Sequence, residues 1–296
     1  MHQLELFSGT PIERPVNVAS VPQRSPFRYP GGKTWLIPQI RRWLDNLGKS
    51  SDLLIEPFAG GGIVGLTAAF EKLTNRVLLV ELDENVASVW QALLSGSAKW
   101  LADEIMNFDM TQQSVTERLG STDSSLQERA FKTLLRNRVS HGGIMAPGAG
   151  LIKFGESKKG ISSRWYPQTL AKRISDIDRI RDRINFVHDD GLNIVRQYAA
   201  RSDVVFFIDP PYTAAGKRAG ARLYTYNEVN HNLLFKYAES IRGDFLMTYD
   251  KSDEVIEMAR QHGFKVAEIA MRNTHHTQMS ELLIGKDLQW ISSSDG

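Results

Sequence analysis

The chain has 296 residues, no cysteine, and 36 Lys and Arg against 34 Asp and Glu, which gives a net charge of +2. This length accommodates one large domain, or a core domain that carries one insertion. The absence of cysteine excludes disulfides, Cys-ligated metal centres and thiolate nucleophiles. The sequence shows neither a signal-peptide pattern nor a membrane-spanning apolar run, so we expect a cytoplasmic protein.

The small net charge conceals a basic segment between Arg129 and Arg173. This segment holds ten basic residues and one acidic residue, so it carries +9 and the rest of the chain carries −7. Concentrated basic charge on an otherwise acidic chain is typical of a surface that binds a polyanion. Solvated charges on helices and loops would give the same count, so the charge alone leaves both interpretations open.

The apolar pattern predicts strands that alternate with helices, interrupted by one helical stretch. Prolines predict an extended arm over residues 1–26. The predicted elements are, in chain order, helix 35–47, strand 53–57, a helix to residue 73, strand 76–82 and helix 84–94; helices near 98–108, 124–138 and 168–184; strand 185–188, helix 191–200, strand 203–209, helix 230–241, strand 245–249, helix 252–262, and strands 264–271 and 280–284. Such alternation predicts an α/β fold with a mostly parallel sheet covered on both faces.

A glycine-rich turn follows the first predicted strand. Residues 60–65, GGGIVG, satisfy G-x-G-x-x-G between a strand and a helix, and Glu81 ends the next strand. This pattern is typical of a nucleotide-like ligand whose ribose hydroxyls bond to the acid. Leu66 stands where a triphosphate-binding loop requires lysine, so that ligand is excluded. The loop leaves NAD and S-adenosylmethionine (AdoMet) open.

The tetrapeptide Asp209-Pro210-Pro211-Tyr212 ends a buried strand at the edge where open α/β sheets bind ligands. Its two prolines fix the backbone and give a rigid turn. A carboxylate, a rigid carbonyl and an aromatic ring together suit a planar base that bears an amino group. We expect Asp209 and the Pro210 carbonyl to accept the two amine hydrogens and Tyr212 to stack on the ring.

Four motifs occur in the order seen in Dam-type DNA adenine methyltransferases, the alpha group of amino methyltransferases. They are FRYPGGK (27–33), EPFAGGG (56–62), DPPY (209–212) and SELLI (280–284), and the segments LLRNRVSHGG and SRWYPQTLAKRI between them are also similar to that family. The resemblance implies a Rossmann-like AdoMet methyltransferase sheet. The predicted elements divide the chain into an arm (1–26), a core domain (27–95 and 185–296) and a basic, helical insertion (96–184). The resemblance implies that the core domain is catalytic and that the insertion is the target-recognition region.

The resemblance implies transfer of a methyl group from AdoMet to the exocyclic amino nitrogen of an adenine flipped out of double-stranded DNA. Methylation of the cytosine amino group, methylation of adenine in RNA, and a catalytically silent DNA-binding relative are the alternatives. Asp209, the first residue of the tetrapeptide, argues against the first two alternatives. Ser more often stands first in enzymes that methylate cytosine, and Asn in enzymes that methylate adenine in RNA. A restriction partner, phage DNA modification and regulation stay open as biological contexts.

The candidate residues fall into three sets. The catalytic set is Asp209, Pro210, Pro211 and Tyr212. The cofactor-binding set is Tyr29, Lys33, Glu56, Phe58, Gly60, Gly62, Glu81, Asp190 and Asp209. The DNA-binding set is Arg136, Asn137, Arg138, Lys153, Lys158, Lys159, Arg164, Lys217 and Arg218. Within the cofactor set, the resemblance implies that Lys33 either meets the AdoMet carboxylate or orients Asp209. It also implies that Asp190 contacts the cofactor adenine, a role for which Asp189 competes. The histidines show no metal-ligand spacing, so we expect no metal.

Overall fold

The computed structural model describes residues 20–28, 31–48, 51–145, 149–155, 159–211, 229–272 and 278–291. Its strands are β1 (Leu53–Glu56), β2 (Arg76–Glu81), β3 (Ile184–His188), β4 (Val204–Ile208), β5 (Asp244–Asp250), β6 (Lys265–Arg272) and β7 (Gln278–Gly285). Its α-helices are α1 (Ile37–Leu47), α2 (Ile63–Glu71), α3 (Glu84–Ala92), α4 (Ala98–Asn107), α5 (Gln112–Gly120), α6 (Leu126–Val139), α7 (Pro167–Arg179), α8 (Gly191–Tyr198), α9 (His231–Glu239) and α10 (Asp253–Gln261).

All these strands form one sheet in the order β3-β2-β1-β4-β5-β7-β6. The strands from β3 to β5 pair in parallel, whereas β7 lies antiparallel between β5 and β6. The predicted α/β class with a mostly parallel sheet is therefore confirmed. The chain reverses direction across the sheet between β1 and β4, and such a switch point opens a crevice at the carboxyl ends of the strands.

The two faces of the sheet carry separate hydrophobic cores because side chains alternate along each strand. On β4, Val204, Phe206 and Ile208 belong to the core covered by α8, α9 and α10. Val205 and Phe207 belong to the opposite core, which contains buried residues of α1, α2 and α3. A strand buried on both sides reads as a continuous apolar run, as the segment VVFFI does.

The helices of the predicted insertion pack against the same face as α3. Helix α6 contacts α3 and α7 contacts α4, and buried residues of α4, α5, α6 and α7 share a core with Trp90. The helical stretch is thus joined to the sheet by apolar packing. The proposed division into a catalytic domain and a recognition insertion remains a prediction.

Two regions add detail to the sequence-based expectations. Helix α5 was not predicted, because Val115 is its one buried residue and the helix shows no apolar period. Of the predicted arm, residues 20–26 are described, and Val21 is buried in the core while Arg24 pairs with Glu71 at 2.9 Å. No helix within the described ranges has the length and apolarity needed to cross a membrane.

Candidate active site

Acidic side chains gather where the central strands end. Glu56 is the last residue of β1, Glu81 the last residue of β2, and Asp209 follows β4. Because these strands are parallel and adjacent in the order β2-β1-β4, their carboxyl ends meet at one edge. The three acids therefore lie together in the crevice predicted by the topology.

Lys33 holds Asp209 in place. The Lys33 ammonium Nζ lies 3.0 Å from Asp209 Oδ1 and 3.4 Å from Glu281 Oε2, and it donates a hydrogen bond of 3.0 Å to the Gly31 carbonyl. The Thr248 hydroxyl donates to the same Asp209 Oδ1 at 2.7 Å. Lys33 and the Thr248 hydroxyl therefore both orient the Asp209 carboxylate.

Lys33 is 2% exposed. Burial opposes the charged form, but the carboxylates of Asp209 and Glu281 outweigh it, so the pKa of Lys33 is raised above its ordinary value. The ammonium stays charged, and its three N–H bonds face three acceptors. Of the two roles predicted for Lys33, this geometry favours the orientation of Asp209.

The glycine-rich turn is locked onto the end of β2. Glu81 accepts hydrogen bonds of 2.9 Å from the backbone N–H groups of Gly60, Leu82 and Asp83. The Trp90 indole donates to the Gly60 carbonyl at 3.0 Å. Burial raises the pKa of the Glu81 carboxyl to about 7, although these backbone donors act in the opposite direction. The turn is thus held rigid beside the acid that was predicted to bind ribose.

Two glycines in this turn are required by their surroundings. Gly62 has a φ of 62°, and a Cβ there would lie 2.9 Å from the Trp90 ring. A Cβ on Gly65 would lie 2.8 Å from Glu56 Oε2, to which the Gly65 N–H donates at 2.8 Å. Burial raises the pKa of Glu56 to about 8 against that hydrogen bond. Close packing of α2 on the strands therefore explains the glycine spacing.

A cleft of about 1700 Å³ connects these groups to the basic segment. The predicted catalytic and cofactor residues that line it are Lys33, Glu56, Phe58, Gly60, Gly62, Glu81, Asp190, Asp209, Pro210 and Pro211. Asp190 lines the cleft and Asp189 does not, which favours Asp190 of the two competing acids. The Asp190 carboxylate also caps α8 by accepting from the Leu192 N–H at 2.9 Å.

The predicted DNA-binding residues divide into three groups. Arg138, Lys153 and Arg164 line the cleft, together with Arg173, which was not in the predicted set. Arg136, Asn137 and Lys159 do not line it. Lys158, Lys217 and Arg218 lie outside the described residues, as do Tyr29 and Tyr212 of the other two sets.

Arg138 and Arg173 form part of one wall, and both hold the segment that precedes the first motif. Arg138 Nη2 donates to the Pro26 carbonyl at 2.6 Å, and Arg173 Nη1 donates to the Ser25 carbonyl at 3.0 Å. Burial, and then the nearby charges of Arg173 and Arg28, lower the pKa of Arg138 to about 9. Within the described ranges neither Arg138 nor Arg173 has an acidic partner.

Asn137 has a structural position. It is fully buried, its Oδ1 accepts from the Arg28 N–H at 2.8 Å, and its Nδ2 donates to the carbonyls of Arg28 and Gly143 at 2.9 and 2.8 Å. This side chain ties the first motif segment to α6. Its burial argues against the predicted contact with DNA.

Several of the ten basic residues in the segment 129–173 are paired with acids. Arg129 pairs with Glu84, Lys132 with Asp123 and Lys172 with Asp176. These acids neutralise part of the segment on the outer surface. Among the described residues of this segment, the Lys and Arg side chains that line the cleft are Arg138, Lys153, Arg164 and Arg173.

Sequence reasoning missed two groups of the site, Thr248 and Glu281. Each is a polar residue inside an otherwise apolar strand, FLMTY and SELLI. A buried acid in a strand is the signal that could have singled out Glu281. Glu281 follows its partner Lys33 by 248 positions in the sequence, so the sheet topology is what brings the two side chains together.

The mostly parallel sheet, its switch-point crevice and the acid that follows β4 define a Rossmann-like α/β fold with a candidate active site at the carboxyl ends of its strands. The chain belongs to the D12 class N6 adenine-specific DNA methyltransferase family, whose sequence profile matches residues 29–273. The predicted family is therefore confirmed.

Curated relatives are similar at low identity. A DNA N-6-adenine-methyltransferase of Escherichia phage P1 is 25% identical over an alignment of 279 residues that covers 88% of this chain and 34% of that protein. A DNA adenine methylase of Vibrio cholerae is 25% identical over 216 residues, 69% of this chain and 71% of that one. The chain thus spans about a third of the length of the phage relative.

Solved structures of methyltransferases resemble the fold distantly. An rRNA methyltransferase, aviRa, from Streptomyces viridochromogenes has a TM-score of 0.41 and 15% identity, with 90% of each chain covered. A putative RNA methyltransferase, PH1948, from Pyrococcus horikoshii has a TM-score of 0.40 and 11% identity, with 93% of this chain and 90% of that chain covered.

Proposed function

We propose that this chain transfers a methyl group from AdoMet to the exocyclic amino nitrogen of adenine in DNA. The observation that carries the proposal is the Asp209 carboxylate, held by Lys33 and Thr248 at 3.0 and 2.7 Å beside Pro210. It lies in the same cleft as the glycine turn and Glu81. Family membership supports adenine in DNA as the target.

The cofactor proposal is supported by the chemistry of the cleft. AdoMet supplies an activated methyl group on a positively charged sulfonium. The cleft is lined by the carboxyl groups of Glu56, Glu81 and Asp190. Burial keeps Glu56 protonated at neutral pH, and the other two acids suit a ligand with a sulfonium, an ammonium and ribose hydroxyls. The Leu82 and Asp83 N–H groups occupy both lone-pair sites of Glu81 Oε1. Among the described residues Glu81 Oε2 accepts from the Gly60 N–H alone, so Oε2 is the atom we assign to the ribose.

Asp209 activates the target nitrogen in this proposal. An adenine amine is a poor nucleophile because its lone pair conjugates with the ring. When its two N–H groups donate to Asp209 and to the Pro210 carbonyl, the nitrogen is held pyramidal and its lone pair is directed at the methyl carbon. After the bond forms, the Asp209 carboxylate is placed to accept the proton that the nitrogen releases.

Access to adenine requires base flipping, because its amino nitrogen lies inside the duplex. Flipping costs a few kcal/mol, and stacking on an aromatic ring returns about 1–3 kcal/mol per base. Tyr212 is assigned that stacking role on sequence grounds. Arg138, Lys153, Arg164 and Arg173 on the cleft wall are assigned to DNA phosphates, which predicts binding that weakens steeply with salt. A cytoplasmic location stays a prediction from the sequence.

Labelled AdoMet tests the proposal directly. We expect the purified chain, incubated with duplex DNA, to place label in N6-methyladenine when the DNA is digested and its nucleosides are separated. Parallel reactions with RNA and with DNA lacking adenine serve as controls. Label confined to RNA, or recovered in N4-methylcytosine, would overturn the proposal.

A further inference from the structure

Glu281 is an acid in the interior of the sheet. It lies on β7 beside the buried residues Leu282, Leu283 and Ile284, and its exposed fraction is 6%. Its neighbours across the sheet are Asp250 on β5 and Ile269 on β6. A carboxylate in such surroundings carries a large desolvation cost unless a charged partner offsets it.

The partner of Glu281 is the lysine that also holds Asp209. Lys33 Nζ lies 3.4 Å from Glu281 Oε2 and 3.0 Å from Asp209 Oδ1. One ammonium therefore bridges two carboxylates that come from different strands. The charged groups facing Glu281 are Lys33, Asp209 and Asp250, and burial together with the two acids raises its pKa to about 7, although Lys33 acts against the shift.

We propose that Glu281 is a positioning residue of the methyl-transfer site, whose carboxylate holds the Lys33 ammonium against Asp209. The inference rests on the proposed function, because it assigns Asp209 the catalytic role. Under it, the orientation of Asp209 is determined from β7 through Lys33 as well as from β5 through Thr248.

The physical reason lies in the lysine side chain. Its ammonium is a point charge on a flexible four-carbon stem, so a single carboxylate does not fix its position. The Gly31 carbonyl and the Glu281 carboxylate approach Nζ in addition to Asp209, and three acceptors define where the ammonium lies. A displacement of about 1 Å at a reacting group can cost about 100-fold in rate.

The test compares Glu281→Gln with Glu268→Gln. Glutamine keeps the shape of Glu281 and removes its charge, and Glu268 is a matched acid on the neighbouring strand β6 that pairs with Lys251. We expect Glu281→Gln to lower kcat by roughly 10- to 100-fold, with the Kd values for AdoMet and DNA and the melting temperature close to those of wild type. Glu268→Gln should leave kcat unchanged. Glu281→Asp, which retains the charge, should recover part of the loss.

A pH profile separates positioning from packing. Glu281 must be ionised to hold Lys33, so the kcat of the wild type should fall as the pH drops through about 7. Glu281→Gln should lack that limb. A kcat for Glu281→Gln within twofold of wild type, or an unchanged limb in this variant, would overturn the inference.

A second measurement does not depend on catalysis. In protein labelled with ¹³C at lysine Cε, the Lys33 signal can be assigned by its loss in Lys33→Arg. Glu281→Gln should make Lys33 lose its proton at a lower pH than wild type, because its burial remains while one of two carboxylates is gone. An unchanged titration overturns the inference. If wild type does not methylate DNA, the proposed function fails, and this titration still decides whether Glu281 holds Lys33.

Discussion

The two sides of the cleft, the sheet edge and the wall formed by helices α6 and α7, differ in how their buried charged groups are partnered. On the sheet side, Lys33 faces Asp209 and Glu281, and the Glu81 carboxylate is bonded by backbone N–H groups. On the helical side, Arg138 and Arg173 donate to backbone carbonyls and have no acidic partner among the described residues. The sheet side is internally compensated, whereas the helical side retains uncompensated positive charge.

This difference indicates what each side is suited to bind. Compensated, hydrogen-bonded groups have fixed positions, and fixed donors and acceptors are what a methyl-transfer centre needs. Desolvated arginines are stabilised by an incoming anion. Burial, and then the nearby charges of Arg173 and Arg28, lower the pKa of Arg138 to about 9, so its charged form lacks compensation among the described residues. A phosphate from DNA would supply it.

Removal of the Asp209 carboxylate should have the largest effect. We expect Asp209→Ala to lower kcat by about 1000-fold or more, since it removes the acceptor of the amine, with the Kd for AdoMet little changed. Asp203→Ala is the matched control, because Asp203 precedes the other end of β4 and pairs with Arg201 at the surface. Labelled-methyl transfer and calorimetric AdoMet titration check both variants, and turnover near the wild-type rate in Asp209→Ala would show that catalysis occurs elsewhere.

Neutralising Glu56 should change the pH dependence of stability. Its folded pKa of about 8 exceeds the unfolded value of 4.5, so the native state holds a proton that the unfolded state releases in that window. Stability from this group is present below pH 4.5 and falls as the pH rises to 8. As the pH rises from 6 to 8, the free energy of unfolding of Glu56→Gln should increase by about 2–3 kcal/mol relative to that of wild type.

Urea unfolding at several pH values measures this difference. Glu81 and Glu281 also have a raised pKa, of about 7, but both are common to the two proteins and their contributions subtract out. The exposed Glu117→Gln serves as control. Parallel stability curves for wild type and Glu56→Gln would contradict the buried, protonated state of Glu56.

The smallest expected effect concerns the helical side. Arg173→Gln should weaken DNA binding several-fold and reduce the slope of log K against log salt by about 1, the value for one lost phosphate contact. Arg179→Gln, on the same helix but exposed and paired with Asp176, should change neither quantity. Fluorescence anisotropy at several salt concentrations checks the pair. An unchanged slope in Arg173→Gln would remove Arg173 from the DNA interface.

The local sequence pattern was sufficient to predict an element wherever its buried residues recur with the period of a strand or a helix. The strand VVFFI and the glycine turn after β1 were predicted from apolar runs and spacing, and the structure places Asp209, Glu56 and Glu81 at one edge as the parallel sheet requires. Helix α5 escaped prediction because it buries only Val115. Asn137 was predicted to contact DNA because it is a polar residue at the basic end of a helix. The sequence around it does not show that its side chain bonds to the backbone of Arg28 and Gly143.

By itself, the sequence determined the α/β alternation and the family, and it singled out the motif that begins at Asp209 as a candidate site, because these depend on apolar period and on short contiguous motifs. The tertiary structure alone decided which charges meet. Glu281 meets Lys33 across most of the chain length, and Arg138 reaches the Pro26 carbonyl. Pairing energies depend on distance and burial, and both are properties of the folded chain. The small net charge of +2 therefore conceals two different regions. At the sheet edge the Lys33 charge is paired with acids, and on the helical wall Arg138 and Arg173 have no acidic partner among the described residues.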